Sequence, residues 1–318
     1  MNNLLYIVVP CYNEEEVLNE TSSKLLTKLN ALIKAKKISK QSKIVFIDDG
    51  SKDSTWSIIE HLCKKNGQIM GIGLSRNCGH QNALYAGLME AKKYCDMVIS
   101  MDADLQDDID AIDLFVSQYY KGHDIVYGVR KSRKKDSFFK RNTALFFYKL
   151  MKLMGVDIVY NHADYRLMSK RVLVELEKFR EVNLFLRGLI PLLGFKSTTI
   201  YYDRKNRFAG KTKYPLNKMI TFALDGITSF SIKPIKSIMT IGFSISVVSV
   251  LVLIYSIIVK IGGKTVDGWT FIVGSIWLLG GLQMFSIGVI GEYVGKIYQE
   301  TKARPKYIIR EVIGGEMK

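Results

Sequence analysis

The chain has 318 residues, of which 48% are apolar, and it carries a formal charge of +16 at pH 7. This length and composition predict one large or two modest domains with a full core, and the charge predicts an anionic partner: nucleic acid, lipid headgroups or a phosphorylated ligand. The four cysteines have neither metal-like nor redox-like spacing, which argues against a disulfide framework and favours a reducing cytosol.

Strands alternate with helices over the first third of the chain. Apolar runs that end in polar clusters indicate strands, and segments with apolar residues three and four positions apart are typical of helices. This alternation predicts an α/β fold with a mostly parallel sheet and helices on both faces. The predicted strands span 4–10, 43–50, 69–75 and 97–104, and the predicted helices span 14–35, 54–65 and 80–93.

Each of the four strands ends in a polar cluster. In chain order the clusters read PCYNEEE, DDGSKDST, SRNCGHQNA and DADLQDD. Because ligands of such sheets bind beyond the carboxyl ends of the strands, we expect the four clusters to converge on one edge. In the second cluster, turn formation and helix capping explain part of the pattern. They do not require two acids, Asp48 and Asp49, at the strand end, where a carboxylate can accept hydrogen bonds from a nucleotide base or ribose hydroxyls.

The fourth cluster contains Asp102 and Asp104 in a D-x-D pattern. In extended chain the two side chains point the same way, and neighbouring carboxylates raise each other's pKa unless a cation intervenes. Mg²⁺ or Mn²⁺ prefers such oxygen ligands and commonly shares substrate phosphates, so a metal here would stabilise a diphosphate leaving group. The alternative is a solvated acidic turn.

Two uncharged segments near the C-terminus, 238–259 and 270–290, predict transmembrane helices. Each has about 20 residues, the length that crosses a bilayer core. The short linker predicts a hairpin with both ends on one side, and the Lys- and Arg-rich flanks place that side in the cytoplasm. A pair of buried core helices is the alternative.

Segment 214–237 has apolar residues at helical spacing beside several lysines, which predicts an amphipathic helix on the membrane surface; an ordinary packed helix is the alternative. Basic residues elsewhere are candidates for binding lipid or donor phosphates, although many of them also suit a solvated face. Asp164 lies in a polar turn before a helix that is predicted to start near Lys170. The alternative is that this turn only leads the chain into that helix. The basic candidates are Arg130, Arg204, Arg207 and Lys211.

The motifs VVPCYNEE, DDGSKDST, SRNCGHQNALYAG, MDADLQDD, DYRLMSKR, FLRGL and RFAGKTKYP, followed by two spans, resemble the family 2 glycosyltransferases. In particular, they resemble the bactoprenol glucosyltransferases and the dolichol-phosphate mannose synthases. The resemblance implies a Rossmann-like GT-A domain at 1–213, an amphipathic juxtamembrane region at 214–237, two transmembrane helices within 238–290 and a basic cytoplasmic tail at 291–318.

The resemblance also implies roles for individual residues. Pro10, Tyr12, Glu14 and Asp48 would contact the nucleotide. Asp102 and Asp104, helped by Gln106, would bind the metal and the diphosphate. Asp164 matches the position assigned as catalytic base, although a dianionic phosphate acceptor hardly needs one. Phosphates of donor or acceptor would be met by Arg130, Arg204 and Arg207.

The expected activity is the inverting transfer of a sugar, with UDP-glucose favoured, to undecaprenyl or another polyprenyl phosphate at the cytoplasmic face of a bacterial inner membrane. UDP-N-acetylglucosamine, UDP-galactose and GDP-mannose stay open as donors, and a homo-oligomer is expected. A processive polysaccharide synthase would need a Q-x-x-R-W segment, which none of the three tryptophans provides. A non-enzymatic nucleotide binder would not need the acceptor-side arginines, and nucleic-acid binding does not explain the spans or the acidic edge.

Overall fold

The computed structural model describes residues 3–131, 162–181, 184–203, 231, 233–262 and 268–314. Three of the predicted phosphate-binding residues, Arg204, Arg207 and Lys211, lie outside the described residues. So does nearly all of the predicted interface helix at 214–237, of which only 231 and 233–237 are described.

The described strands are β1 Leu5–Cys11, β2 Lys43–Asp48, β3 Ile69–Leu74, β4 Met97–Ser100, β5 Ile125–Arg130, β6 His162–Ser169, β7 Ser197–Tyr202 and β8 Ile309–Ile313. The described helices are α1 Leu18–Lys34, α2 Thr55–Lys65, α3 His80–Ala91, α4 Ile112–Tyr120, α5 Lys170–Glu177, α6 Leu186–Leu192, α7 Lys233–Ile261 and α8 Trp269–Lys302. The strand and helix alternation predicted for the first hundred residues is confirmed.

The strands form one eight-stranded sheet in the order β7-β5-β6-β4-β1-β2-β3-β8. The pairings β1–β2, β1–β4, β2–β3 and β5–β7 are parallel, whereas β6 is antiparallel to both of its neighbours and β8 is antiparallel to β3. An antiparallel strand enters the sheet at the edge where its parallel neighbours leave it. The first residues of β6 and β8 therefore join the carboxyl ends of β1 to β5 at a single edge, which we call the carboxyl edge.

Helices cover both faces of the sheet, and β1 shows why. Leu5, Ile7 and Val9 belong to one buried apolar cluster, together with side chains of α1 and α4. Tyr6 and Val8 belong to a second cluster, together with side chains of α3 and α5. Because alternate strand residues face opposite sides, an apolar run such as LYIVVPC is buried on both faces, as expected for a covered parallel sheet.

The predicted spans at 238–259 and 270–290 lie within the two long helices α7 and α8. By length and composition, one helical segment among the described residues is able to cross a membrane, Leu278–Lys302, with a mean hydropathy of 1.2. Large apolar side chains are exposed along both helices, including Phe243 at 71% and Met284 at 70%. The two-helix transmembrane hairpin itself stays a prediction.

Within the region predicted as a basic tail, 291–318, the structure describes residues 291–314. Its first part continues α8, which ends at Lys302 and is followed by Ala303 in the left-handed conformation (φ 45°). The chain then returns to the sheet and adds β8 to β3. The sequence did not reveal this edge strand, because its alternation of half-buried and exposed residues is only five residues long.

Candidate active site

The loops that follow β1 and β2 are tied to each other by hydrogen bonds. Asn13 has a φ of 52°, and its backbone N–H donates to Ser51 Oγ at 3.0 Å. Its side-chain Oδ1 accepts from the backbone N–H of Lys52 at 2.9 Å, and the N–H of Glu14 donates to Thr55 Oγ1 at 2.9 Å. The two predicted nucleotide-binding loops therefore form one rigid unit.

The structure brings the four predicted nucleotide-binding residues to the adjoining ends of β1 and β2. Pro10 is buried within β1, while Tyr12 and Glu14 are half-buried in the loop after it. Asp48 pairs with Cys11 across the strands and is only 1% exposed; its Oδ1 accepts from the N–H of Ser51 at 3.1 Å. Their contact with a nucleotide stays a prediction.

Asp49, to which the sequence assigned no role of its own, holds the start of α3. Its two carboxylate oxygens accept from the backbone N–H groups of Cys78 at 2.7 Å and Gly79 at 2.9 Å. Gly79 has a φ of 89°, a conformation that favours glycine. This clamp fixes His80, the first residue of α3, at the carboxyl edge.

Asp164 lies at the start of β6 inside a ring of hydrogen-bond donors. Its side chain is 7% exposed and accepts a short hydrogen bond from Arg166 Nη2. Arg187, from α6, donates from Nε to Oδ1 at 3.2 Å and from Nη2 to Oδ2 at 3.0 Å. Two residues of α3 complete the ring: Gln81 Nε2 at 3.4 Å and His80 Nε2 at 3.5 Å from Oδ2.

Burial alone would raise the pKa of Asp164, but the charge of Arg187, the hydrogen bond with His80 and the charge of Arg166 together hold it well below its ordinary value. The lowered pKa makes Asp164 a weakly basic carboxylate. This surrounding suits a group that orients its neighbours better than a group that accepts a proton during turnover.

Asp102 and Asp104 follow β4, but not as an extended strand. We expected the strand to run to 104, whereas β4 ends at Ser100; Asp102 follows the strand and Asp104 lies in the turn that begins at 103. Leu105 in that turn has a φ of 57°, and the N–H of Gln106 donates to Asp104 Oδ1 at 3.1 Å. The extended alignment of the two carboxylates predicted from the sequence was therefore wrong, although both remain at the carboxyl edge.

The carboxylate oxygens of Asp102 and Asp104 are ligands that suit a hard divalent cation. Burial and the nearby charges of Asp164 and Asp104 raise the pKa of Asp102, opposed by His80, whose Nε2 lies 3.6 Å from Asp102 Oδ1. In the part of the chain that the structure describes, no three His, Cys, Asp or Glu side chains are grouped to hold a metal. Two carboxylates with substrate phosphates and water are a usual shell for Mg²⁺.

Arg130 is brought to the same edge at the end of β5. Its Nη2 lies 3.6 Å from Asp107 Oδ1, and its Nε donates to Tyr202 Oη at 3.4 Å. Tyr202 Oη in turn donates to Asp107 Oδ1 at 2.5 Å. Burial, followed by the charge of Asp102, raises the pKa of Asp107 to about 6. Asp107 and Tyr202 were missed in the sequence, because their partners are distant along the chain.

Arg187 and His80 were also given no role from the sequence. Both stand in motifs that carried the family resemblance, FLRGL and SRNCGHQNALYAG, but their spacing along the chain does not reveal that they meet at Asp164. Only the fold brings α3, α6 and β6 together at this point.

Comparison with known proteins gives the family. The model of the family "Glycosyl transferase family 2" matches residues 6–176. The uncharacterized glycosyltransferase YkoT of Bacillus subtilis is 55% identical over 306 residues, covering 96% of this chain and 91% of the relative. The prophage bactoprenol glucosyl transferase homolog of Escherichia coli K12 is 40% identical, covering 96% and 98%, and the bactoprenol glucosyl transferase of Shigella phage SfV is 39% identical, covering 96% and 97%.

Among solved structures, glucosyl-3-phosphoglycerate synthase from Mycobacterium tuberculosis, in complex with Mn²⁺, UDP-glucose and phosphoglyceric acid, is similar with a TM-score of 0.45 and 16% identity, covering 71% of this chain and 78% of that one. The family match spans β1 to α5 and so includes the loops that present Asp48, Asp102 and Asp164. The chain belongs to glycosyl transferase family 2 and is a glycosyltransferase.

Proposed function

We propose that this chain transfers a sugar from a nucleotide diphosphate to a polyprenyl phosphate, with inversion at the anomeric carbon. Glucose from UDP-glucose is the proposed donor group and undecaprenyl phosphate the proposed acceptor. The observation that carries the acceptor class is the identity of about 40% over nearly the full length with relatives named bactoprenol glucosyl transferases. The sheet edge described above supplies groups suited to each substrate.

The catalytic domain is proposed to be of the GT-A type and to occupy 1–213. The unit formed by the loops after β1 and β2 binds the nucleotide through Pro10, Tyr12, Glu14 and Asp48. Asp102 and Asp104, with Gln106, would hold Mg²⁺ or Mn²⁺. When bound, the metal stabilises negative charge on the departing diphosphate.

Asp164 is proposed to orient rather than to accept a proton. A phosphate monoester has a second pKa of about 6 and is largely dianionic at neutral pH, so its oxygen attacks the sugar without a base. The low pKa of Asp164 agrees with this role. The carboxylate holds Arg187 and His80 in place, and its fixed negative charge favours the positive charge that develops on the sugar ring.

The acceptor phosphate is proposed to meet Arg130 from β5 and, from outside the described residues, Arg204, Arg207 and Lys211. The exposed apolar side chains of α7 and α8 support a membrane-embedded hairpin within 238–290, preceded by the juxtamembrane region 214–237. The catalytic domain and both termini are then on the cytoplasmic side of a bacterial inner membrane. A homo-oligomer is part of this proposal.

The test incubates the purified full-length protein with undecaprenyl phosphate and, one at a time, radiolabelled UDP-glucose, UDP-N-acetylglucosamine, UDP-galactose and GDP-mannose. Lipid extraction then separates product from donor. We expect label in the lipid phase with UDP-glucose and less with the other three. Preferred use of another donor would replace the sugar but keep the reaction, whereas an unlabelled lipid phase with all four donors would refute the proposal.

A further inference from the structure

The segment that follows α8 is fixed to the catalytic domain at both of its ends. At its start, the backbone N–H of Ser75 donates to Ile308 O at 2.9 Å. At its end, Lys43 Nζ donates to Gly314 O at 2.7 Å. Between these points β8 pairs with β3 as an edge strand, so residues 308–314 extend the sheet beside the predicted nucleotide-binding loops.

Side chains just before β8 strengthen this attachment. Lys306 Nζ donates to Phe179 O at 3.1 Å and lies 4.7 Å from the centre of the Tyr85 ring. The ring of Tyr307 meets the same Tyr85 ring edge-on at 6.2 Å between centroids. The segment is therefore a specific part of the domain, since it contacts α3, the residues after α5 and the strand β3.

A register shift in the pairing of β3 with β8 aims Arg310 at the carboxyl edge. Gly73 pairs with Glu311 and Leu74 with Ile309, so Arg310 stands at the irregularity between them. Such bulges commonly redirect a side chain near a functional site. The guanidinium carbon lies 5.2 Å from the centre of the Trp56 ring, within the range of a cation–π contact.

The position of Arg310 relative to Asp48 follows from the next strand. Asp48 of β2 pairs with Gly73 of β3. A Cβ atom built on Gly73 would lie 3.1 Å from Arg310 Nη2 and 3.2 Å from the Trp56 ring. Because Gly73 has no side chain, the guanidinium of Arg310 can lie over the end of β3, next to Asp48. Burial raises the pKa of Asp48, and the charge of Arg310 is among the groups that oppose this rise.

We propose that Arg310 is a nucleoside-binding residue of the donor site, supplied by the C-terminal strand that lies beyond the family-matched region. This inference rests on the proposed nucleotide-sugar donor. On one side the guanidinium lies over the Trp56 ring. Its Nε donates to Glu311 Oε1 at 2.8 Å, and the side chain is 46% exposed. The other face and the outer N–H groups suit a pyrimidine base, which stacks on arginine planes and carries carbonyl acceptors.

Binding of UDP and of UMP to the full-length protein, measured by calorimetry with Mn²⁺ present, tests this assignment. Arg310→Ala should weaken both ligands by about tenfold, the loss expected for a hydrogen bond to a charged group. Arg304→Ala removes the same charge from an exposed position on the same segment and should bind both ligands as wild type does. The melting temperature of each ligand-free variant reports whether β8 stays docked.

Arg310→Lys is the second variant, because it keeps the charge over Trp56 but lacks the planar fork. We expect it to bind UDP and UMP more weakly than wild type while it melts at the wild-type temperature. Wild-type affinity in either Arg310 variant, or a loss confined to UDP, would overturn the nucleoside contact. If wild type itself binds neither UDP nor UMP, the proposed UDP-glucose donor fails together with this inference.

Discussion

Arg187 donates two hydrogen bonds to Asp164, from Nε to Oδ1 at 3.2 Å and from Nη2 to Oδ2 at 3.0 Å. Asp164 is the third residue of the antiparallel strand β6, while Arg187 is the second residue of the short helix α6. A paired fork of this kind fixes both groups in one orientation. Because Arg187 remains 30% exposed, it is available to a substrate as well.

Arg187→Ala is expected to lower turnover by about 100-fold, the cost of removing one fixed donor from a charge-stabilising site. The remaining partners, Arg166 and His80, keep Asp164 ionised, so the protein should fold. Rates of lipid-phase labelling at saturating donor measure the effect. The control is Arg171→Ala, which removes an exposed arginine of α5 that lies over the Phe195 ring. Equal rates for the Arg187 variant and the control would contradict the assigned role.

Asp164→Asn is expected to reduce turnover while the affinity for UDP stays at the wild-type value. The amide keeps the shape of the side chain but removes the negative charge that holds Arg187 and His80, and neither group belongs to the unit formed by the loops after β1 and β2. Single-turnover rates and calorimetric UDP binding separate the two effects. Loss of UDP binding in this variant would place Asp164 in the nucleotide site and refute the orienting role.

Asp102→Asn is expected to abolish the stimulation of activity by Mg²⁺ or Mn²⁺. Removal of one of two carboxylates leaves too few anionic oxygens at the turn to retain the metal. Activity is titrated with each metal after treatment with a chelator. Asp113→Asn is the matched control, since that carboxylate of α4 pairs with Lys28 of α1 and with Lys37, which follows α1. A metal response in Asp102→Asn like that of the control would show that the cation binds elsewhere.

Gly87→Ala is expected to destabilise the fold by about 1–3 kcal/mol, because it inserts a methyl group into a closely packed core. A Cβ atom there would lie 2.5 Å from Ile47 Cδ1 and 2.7 Å from Val8 Cγ1, where α3 packs against the sheet. The melting temperature of the detergent-solubilised protein should fall by several degrees. A Cβ atom at Gly67 would meet no atom within 4 Å, so Gly67→Ala should have the wild-type melting temperature. Equal melting temperatures for the two variants would contradict the close packing of α3 against the sheet.

The fold was predicted well where the apolar periodicity of a segment agrees with the polar residues that mark its end. Apolar runs such as LYIVVPC and KIVFID ended in polar clusters, and the strands and helices of the first hundred residues followed. The edge strand β8 was hidden, because a short strand of half-buried residues has little apolar pattern of its own. Its partner, β3, lies more than two hundred residues away along the chain.

The sequence predicted where the candidate site lies but not which of its residues contact one another. The acids at strand ends were visible as clusters, since parallel strands bring their carboxyl ends together. The ion pairs of Asp164 with Arg187 and of Asp107 with Arg130 join separate elements. Local spacing carries no signal for such pairs. The turn at Asp102 and Asp104 was misjudged as strand, because the positive φ of Leu105 is uncommon for a leucine.

The most direct test of the account identifies the product. Purified wild-type protein is incubated with undecaprenyl phosphate, UDP-glucose and Mn²⁺, and the extracted lipid is examined by mass spectrometry and by NMR at the anomeric carbon. The account predicts one hexose joined to the lipid phosphate with an anomeric configuration opposite to that of the donor. Unmodified lipid, more than one sugar per lipid, or retained configuration would contradict it.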